Sequence, residues 1–184
     1  PENYIFRLTR GRPYLLTETV LLMLLVIWGR SERKTAALYG TTVALLMLST
    51  WVHGTAWHLW LLPVLAFVLS GRWNDGISFV GCWLAGAFLG AALTGHPFGY
   101  LAQQVDLLFL SFGNGSIARM LVGEFQPDSG GMIYILAVGF VCLARHAITG
   151  DWIKGGAERF FLALGVLGWM GGLHVSRLWT EWGL

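Results

Sequence analysis

The side chains of this sequence that could do chemistry fall at the ends of apolar runs and in one long connection. That connection, residues 94–131, is rich in polar and charged groups. Ionisable residues at membrane depth are costly and are therefore functional candidates. The ionisable residues of the connection are His96, Asp106, Arg119, Glu124 and Asp128. Glu124 is the most suggestive acidic site among them, and we expect the connection to form an ordered cap rather than a disordered loop.

A second group of residues could recognise an anion. His174 and Arg177 are three residues apart, which puts them on one face of a helix. The planar guanidinium of arginine donates two hydrogen bonds to a phosphate at once. With Arg12, these residues could line a pocket for a lipid phosphate. The alternative is that Arg177 extends to the headgroups and His174 bonds a backbone carbonyl.

Metal and haem chemistry find little support in the spacing of the residues. His53 and His58 are five residues apart across a helix break, and the acidic partners available are Glu124 and Asp128. This spacing matches no common ligand motif. Two cysteines, Cys82 and Cys142, each lie inside an apolar run and are expected to be small buried residues. We therefore predict neither a metal nor a cofactor.

The composition is typical of an integral membrane protein. Of the 184 residues, 55% are hydrophobic and 12% charged, and the mean hydropathy is +0.62. A soluble domain carries about 25% charged residues. The net charge of +2 is too small to indicate nucleic-acid binding. We predict an all-α polytopic transmembrane helical bundle, with residues 1–184 as a single membrane domain in contact with membrane lipids.

Apolar runs predict about six spans and one re-entrant or interfacial segment near 100–112. Span three is short for the roughly 20 residues that a bilayer requires. Gly81, Gly86 and Gly90 permit close helix packing in span four. The predicted spans are 13–29, 35–52, 56–71, 76–93, 132–147 and 160–179.

The positive-inside rule orients these spans in a cytoplasmic (inner) membrane. Seven of the twelve basic residues follow spans one, three and five, so those turns are expected to face the cytoplasm. The connection 94–131 and both termini then face outward. Four of the five histidines lie at or near the outer face, namely His53, His58, His96 and His174. The chain starts at Pro1 rather than Met, which we interpret as processing or an upstream portion of the same protein.

Tryptophans lie mostly at span ends, as in the aromatic belts of membrane proteins. We expect them to be interfacial anchors rather than platforms on which sugars stack. They are Trp51, Trp57, Trp60, Trp73, Trp152, Trp179 and Trp182.

Five short motifs, taken in order, resemble one family. They are Arg12-Pro13, Trp51-Val52-His53-Gly54, Gly95-His96-Pro97-Phe98-Gly99, Gly123-Glu124-Phe125-Gln126-Pro127 and His174-Val175-Ser176-Arg177. Their order and spacing resemble the C-terminal part of bacterial polytopic proteins similar to GT-C glycosyltransferases, over nearly all of the chain. His96 stands where we expect Asn, and Phe125 where we expect Trp.

The resemblance implies transfer of a sugar from a polyprenyl-phosphate carrier at the outer membrane face. It implies that Glu124 and His53 are catalytic, and that His96 and the cations Arg12, His174 and Arg177 bind substrate or the lipid phosphate. The acidic catalytic residue of such enzymes lies in a first outer loop, upstream of Pro1. The alternative is a non-catalytic structural subunit that packs against other membrane subunits in a larger complex.

Overall fold

The computed structural model describes residues 14–30, 34–54, 59–113, 132–150 and 155–174. Within these ranges the regular structure is helical and contains no strand, so the predicted all-α class is confirmed there. The α-helices are α1 (Tyr14–Arg30), α2 (Ala36–Val52), α3 (Leu61–Leu69), α4 (Trp73–Ala92), α5 (Pro97–Gly113), α6 (Met132–Thr149) and α7 (Gly156–His174).

Most helices coincide with the predicted apolar runs. The bounds of α1, α2, α4 and α6 agree with the prediction to within one helical turn. The residues predicted to form a re-entrant or interfacial segment, near 100–112, lie in the helix α5, which begins at Pro97. Proline is well suited to the first turn of a helix, where its missing N–H has no partner to lose.

The predicted number of membrane spans agrees less well with the described helices than the helix bounds do. In the part of the chain that the structure describes, α4 is the one helix both long and apolar enough to cross a membrane, so six spans are not supported. Shorter apolar helical stretches lie in α1, α2 and α6. Each of the 17-residue helices α1 and α2 is about 26 Å long, against about 30 Å of hydrocarbon core.

The predicted third span, 56–71, contains the short helix α3, and its first three residues lie outside the described ranges. Its α-helical part, α3, has nine residues and is about 14 Å long, less than half of a bilayer core. The chain turns after α3 through Gly71, whose φ of +78° is readily adopted only by glycine.

The chain divides into two compact units. Unit 1 consists of residues Pro1–Leu61 and Ile77–Leu108, and unit 2 of Leu62–Gly76 and Phe109–Leu184.

In unit 1, α1 and α2 form an antiparallel hairpin. At one end, the indole Nε1–H of Trp28 donates to Thr42 Oγ1 at 3.0 Å. At the other end, the hydroxyls of Thr17 and Ser49 are 3.3 Å apart. Thr35 caps α2 by accepting from the backbone N–H of Leu38. The hairpin therefore joins its two apolar helices through buried hydroxyl groups along its length.

Helix α4 packs parallel to α2 along what we call the glycine seam, formed by Gly86 and Gly90 of α4 against α2. A Cβ on Gly86 would lie 2.7 Å from the Leu46 Cβ, and one on Gly90 would lie 2.5 Å from the Met47 carbonyl oxygen. Gly81, also predicted to permit packing, is exposed with nothing within 4 Å of its Cβ position. Small residues thus let the two backbones touch.

The parallel arrangement requires the chain to return between α2 and α4. Trp60 already packs against Phe79, with ring centroids 6.4 Å apart, near the start of α4. His53 directly follows α2, whose last turns pack against Gly90 near the other end of α4. The described chain therefore ends α2 at one end of α4 and resumes at residues 59–60 near the other end.

In unit 2, an aromatic stack joins α3 to α7. Phe67 and Phe160 stack with centroids 4.2 Å apart. The Arg72 guanidinium lies over both rings, at 5.1 and 5.7 Å, and its Nε donates to Asp75 at 2.8 Å. The hairpin of α6 and α7 carries a more exposed ion pair between Arg145 and Glu158 at 3.5 Å.

Candidate functional site

His53 lies at the C-terminal end of α2. Its backbone N–H donates to the Ser49 carbonyl at 2.9 Å, which makes it the C-cap of the helix. The side chain is half-buried and the following residue, Gly54, is buried. The predicted break at His53-Gly54 is therefore the packed C-terminal end of α2. The His53 side chain there is half-buried.

His96 lies in the turn that leads into α5. The turn contains Gly95 at φ +85°, and Pro97 follows as the first residue of the helix. The His96 carbonyl accepts from the backbone N–H of Tyr100 at 2.8 Å, and its side chain is exposed. The imidazole is thus free to meet solvent, a headgroup or a substrate, while its backbone is fixed.

Tyr100 connects these two histidine turns. Its hydroxyl donates to the Thr50 carbonyl at 3.0 Å, one helical turn before Gly54. The Gly54 backbone also hydrogen-bonds the phenol. A Cβ on Gly54 would overlap the Tyr100 hydroxyl, so the ring rests directly on the glycine backbone. We call Thr50, His53, Gly54, His96 and Tyr100 the Tyr100 junction.

The junction keeps Tyr100 in its neutral form. Burial raises the pKa of the Tyr100 phenol above its ordinary value, because a phenolate loses hydration there. The hydrogen bond from Gly54 lowers the pKa, but by less than burial raises it. Tyr100 therefore serves as a hydrogen-bond donor at neutral pH and not as a base.

Buried polar side chains continue from the junction into unit 1. Gln104, one helical turn beyond Tyr100 on the same face of α5, is 9% exposed, and Thr50 is fully buried. Within the described ranges, neither Gln104 Oε1 nor Thr50 Oγ1 has a hydrogen-bond partner. Buried polar groups are usually paired, so these two unpaired oxygens are an uncommon feature beside the junction.

The other predicted site residues are not brought together by the described structure. Arg12, Glu124 and Arg177 lie outside the described residues, as do His58 and Asp128. His174 is the last residue of α7, in unit 2, and the structure does not describe its side chain. The predicted phosphate pocket and the catalytic role of Glu124 therefore stay predictions.

Sequence reasoning missed one buried ionisable residue. Glu18 lies in the apolar helix α1 and is only 8% exposed. A carboxylate inside an apolar run was a signal available in the sequence, because such residues are rare at membrane depth. Glu18 follows Thr17, which bonds Ser49, so a polar patch runs through the α1–α2 hairpin.

Three of the tryptophans predicted to be anchors lie in the described ranges, and two of them are exposed while one is buried. Trp51 at the end of α2 and Trp73 at the start of α4 are exposed, as interfacial anchors are. Trp60 is fully buried, so its predicted role as an anchor is wrong. Its burial follows from its ring contact with Phe79 in the core of unit 1. Trp57, Trp152, Trp179 and Trp182 lie outside the described residues.

No family model, curated protein or solved structure matches this chain. Its function has to be inferred from its own residues and their geometry.

Proposed function

We propose that this chain is a multi-pass protein of the cytoplasmic membrane, similar to GT-C glycosyltransferases, and that the Tyr100 junction forms part of its site for a polyprenyl-phosphate-linked sugar. One observation carries the proposal. Tyr100 ties together the two turns that contain His53 and His96, although 43 residues separate these histidines in the sequence. The family resemblance assigns both turns to one site.

The distribution of apolar side chains supports the membrane assignment. Water-soluble proteins rarely expose large contiguous apolar surfaces. Here α6 exposes Ile133, Leu136, Phe140, Val141 and Leu143, each at 60% or more, and Ile148 at 83%. Helices α1 and α4 likewise carry exposed large apolar residues beside their buried ones. Hydrocarbon chains are the solvent in which such a surface is stable.

The short helices fit this proposal with a modest adjustment of the bilayer. A 17-residue helix is shorter than the hydrocarbon core by roughly 4 Å, and mismatch costs a fraction of a kcal/mol per Å. Packing along the glycine seam offsets such a cost. In this arrangement α1, α2, α4, α6 and α7 cross the membrane, and the segment containing α3 makes the remaining crossing.

The proposed chemistry distributes roles among the predicted residues. Glu124 would act on the substrate as a second carboxylate, beside the acidic residue that such enzymes carry in their first outer loop. Arg12, His174 and Arg177 would stabilise the negative charge on the departing lipid phosphate. His53 and His96 would donate hydrogen bonds to the phosphate that links the sugar to its lipid carrier. Tyr100 would hold their two turns in register without touching the substrate.

Binding of a long-chain polyprenyl phosphate tests this proposal. The full-length protein in lipid nanodiscs would be titrated with that lipid, and bound lipid counted by native mass spectrometry. In the His53→Ala/His96→Ala variant, two hydrogen bonds to a charged ligand are lost, so affinity should fall by about tenfold or more. His146→Ala, near the end of α6 in unit 2, is the matched control and should bind normally. Equal affinity of all three proteins would refute the site.

A non-catalytic subunit of a larger membrane complex is the second candidate. The observation that favours it is α6, in which none of the described side chains is buried. A partner helix could cover this face as well as lipid could. Extraction in a mild detergent, followed by measurement of the mass of the extracted particle, distinguishes the glycosyltransferase-like protein from the subunit of a complex. A stable assembly with another membrane protein, together with absent polyprenyl-phosphate binding, would favour the subunit.

A further inference from the structure

Helix α5 has three distinct sides. Its packed side contains Tyr100, Leu101 and Gln104, which are half-buried or buried. The exposed surface of α5 has an apolar part and a polar part. Helical spacing of 100° per residue puts Phe98, Ala102 and Phe109 along one edge and Gly99, Gln103 and Asp106 along another. We call these the apolar edge and the polar edge of α5.

The apolar edge presents large aromatic groups without a covering layer. Phe98 is 76% exposed and Phe109 is 69% exposed. The Phe98 ring contacts Phe88 of α4 at a centroid distance of 5.7 Å, and Phe88 is itself exposed. The apolar edge is therefore continuous with the outer surface of α4, the helix long and apolar enough to cross a membrane.

The Tyr100 junction fixes the depth of α5. Its first turn is bonded to the Thr50 carbonyl, directly beside Trp51. Trp51 is half exposed in the last turn of α2. Exposed tryptophans at helix ends mark the headgroup region of a bilayer. The first turn of α5 therefore lies at the level where hydrocarbon gives way to water.

We propose that α5 is an interfacial helix whose apolar edge is inserted in the lipid bilayer while its polar edge faces water. The occupant of the apolar edge is lipid, because that edge continues the lateral surface of α4 at the depth set by Trp51. A helix that is apolar on one edge and polar on the other is suited to this position. The inference does not depend on sugar transfer and applies equally to a catalytic protein and to a subunit.

Single cysteines along α5 test the inference. In a background without Cys82 and Cys142, cysteines would replace Phe98, Ala102, Gly99, Gln103 and Asp106 one at a time in the full-length protein. All five positions are exposed, and a Cβ on Gly99 would meet nothing within 4 Å. Each variant would carry a nitroxide label in phosphatidylcholine nanodiscs, and its collision rates with oxygen and with a water-soluble nickel chelate would be measured.

The expected result is an alternation with helical period. Labels at positions 98 and 102 should collide mainly with oxygen, and those at 99, 103 and 106 mainly with the nickel chelate. High nickel collision at all five positions would overturn the proposal, since α5 would then lie in water. Low collision with both reagents at 98 and 102 would also overturn it, because protein would then cover the edge. Reaction of the unlabelled cysteines with a membrane-impermeant maleimide gives an independent check, with loss of reaction expected at 98 and 102.

Discussion

The glycine seam of unit 1 is in close contact with a neighbouring helix, whereas the helix α6 of unit 2 has mostly exposed side chains. Along the seam, Gly86 and Gly90 bring two backbones into contact, and added side-chain atoms would collide with α2. Helix α6 has large apolar side chains that point away from its own unit, and Gly139 within it has open space around its Cβ position. Helix α4 is positioned by its contacts with α2, whereas the apolar side chains of α6 are exposed.

In the membrane arrangement that we propose, helices associate without a hydrophobic force between them, and this difference is the expected result. In lipid, a leucine gains little by moving from hydrocarbon to a protein interior, so close van der Waals contact decides which helices associate. The α2–α4 pair has that contact. In the same proposed arrangement, hydrocarbon covers the exposed apolar residues of α6.

The largest expected effect is at the glycine seam. Gly90→Leu would place side-chain atoms where the Met47 carbonyl and the Thr50 side chain already lie, so the helices must separate. We expect a loss of about 3 kcal/mol or more in the free energy of unfolding, at the upper end of overpacking effects. Thermal unfolding in detergent would measure it.

Gly81→Leu is the matched control for the seam, because Gly81 belongs to the same helix but faces open space. A surface substitution of this kind should change stability by no more than about 0.5 kcal/mol. Equal losses in the two variants would mean that α4 and α2 do not meet along Gly86 and Gly90.

A smaller effect is expected at the Tyr100 junction. Gly54→Ala would displace the Tyr100 phenol, break its hydrogen bond to Thr50 and cost about 1–2 kcal/mol of stability. In a Tyr100→Ala background the ring is gone, and Gly54→Ala should cost almost nothing further. Chemical denaturation of the four proteins of this cycle would give the coupling energy.

Gly99→Ala is the control for the junction, since its new methyl group meets nothing. Alanine is favoured over glycine inside a helix by up to about 1 kcal/mol, so this variant should be unchanged or more stable. Additive losses in the Gly54 and Tyr100 cycle would contradict the contact between them.

The smallest effect is expected in the aromatic stack of unit 2. Arg72→Ala removes a guanidinium that lies over Phe67 and Phe160 and is only 18% exposed, and should cost about 1 kcal/mol. Arg72→Lys should recover part of this loss, because lysine keeps the charge but not the planar group.

Arg145→Ala, which breaks a half-exposed pair with Glu158, should cost less than about 0.5 kcal/mol. A larger loss for Arg145→Ala than for Arg72→Ala would contradict this ranking, as measured by thermal unfolding.

The sequence was sufficient to locate most helices. Apolar runs bounded by charged residues, glycine or proline are a local signal, and α1, α2, α4 and α6 follow it closely. Within the third predicted span the described α-helix has only nine residues, although the apolar run is longer. Where a segment packs decides that outcome, and local composition does not record it.

Which side of each helix is buried and which is exposed was much harder to predict from the sequence. In a segment that is apolar all round, hydrophobic periodicity no longer distinguishes buried from lipid-facing positions. Gly81 and Gly86 look alike in the sequence, yet one is open and the other is in contact with α2. Trp60 at a predicted span end is core, whereas Trp51 is exposed.

The candidate site could be predicted only in part. His53 and His96 were singled out because each follows an apolar run, and this placed them correctly at helix ends. The role of Tyr100 was not predicted, because a tyrosine in a mixed connection has no distinguishing pattern. Its partner Thr50 is 50 residues away, a separation that no local motif encodes.

The central claim is that α2 and α4 cross a membrane side by side in the same direction, and one labelling experiment tests it directly. Cysteines would replace the exposed residues Trp51, Leu93 and Trp73 in a protein without Cys82 and Cys142, and right-side-out membrane vesicles would be treated with an impermeant maleimide. We predict that positions 51 and 93 react from the outside and that position 73 reacts only after the vesicles are opened. Reaction of all three positions from one side would contradict the account, because α4 would then not cross the membrane.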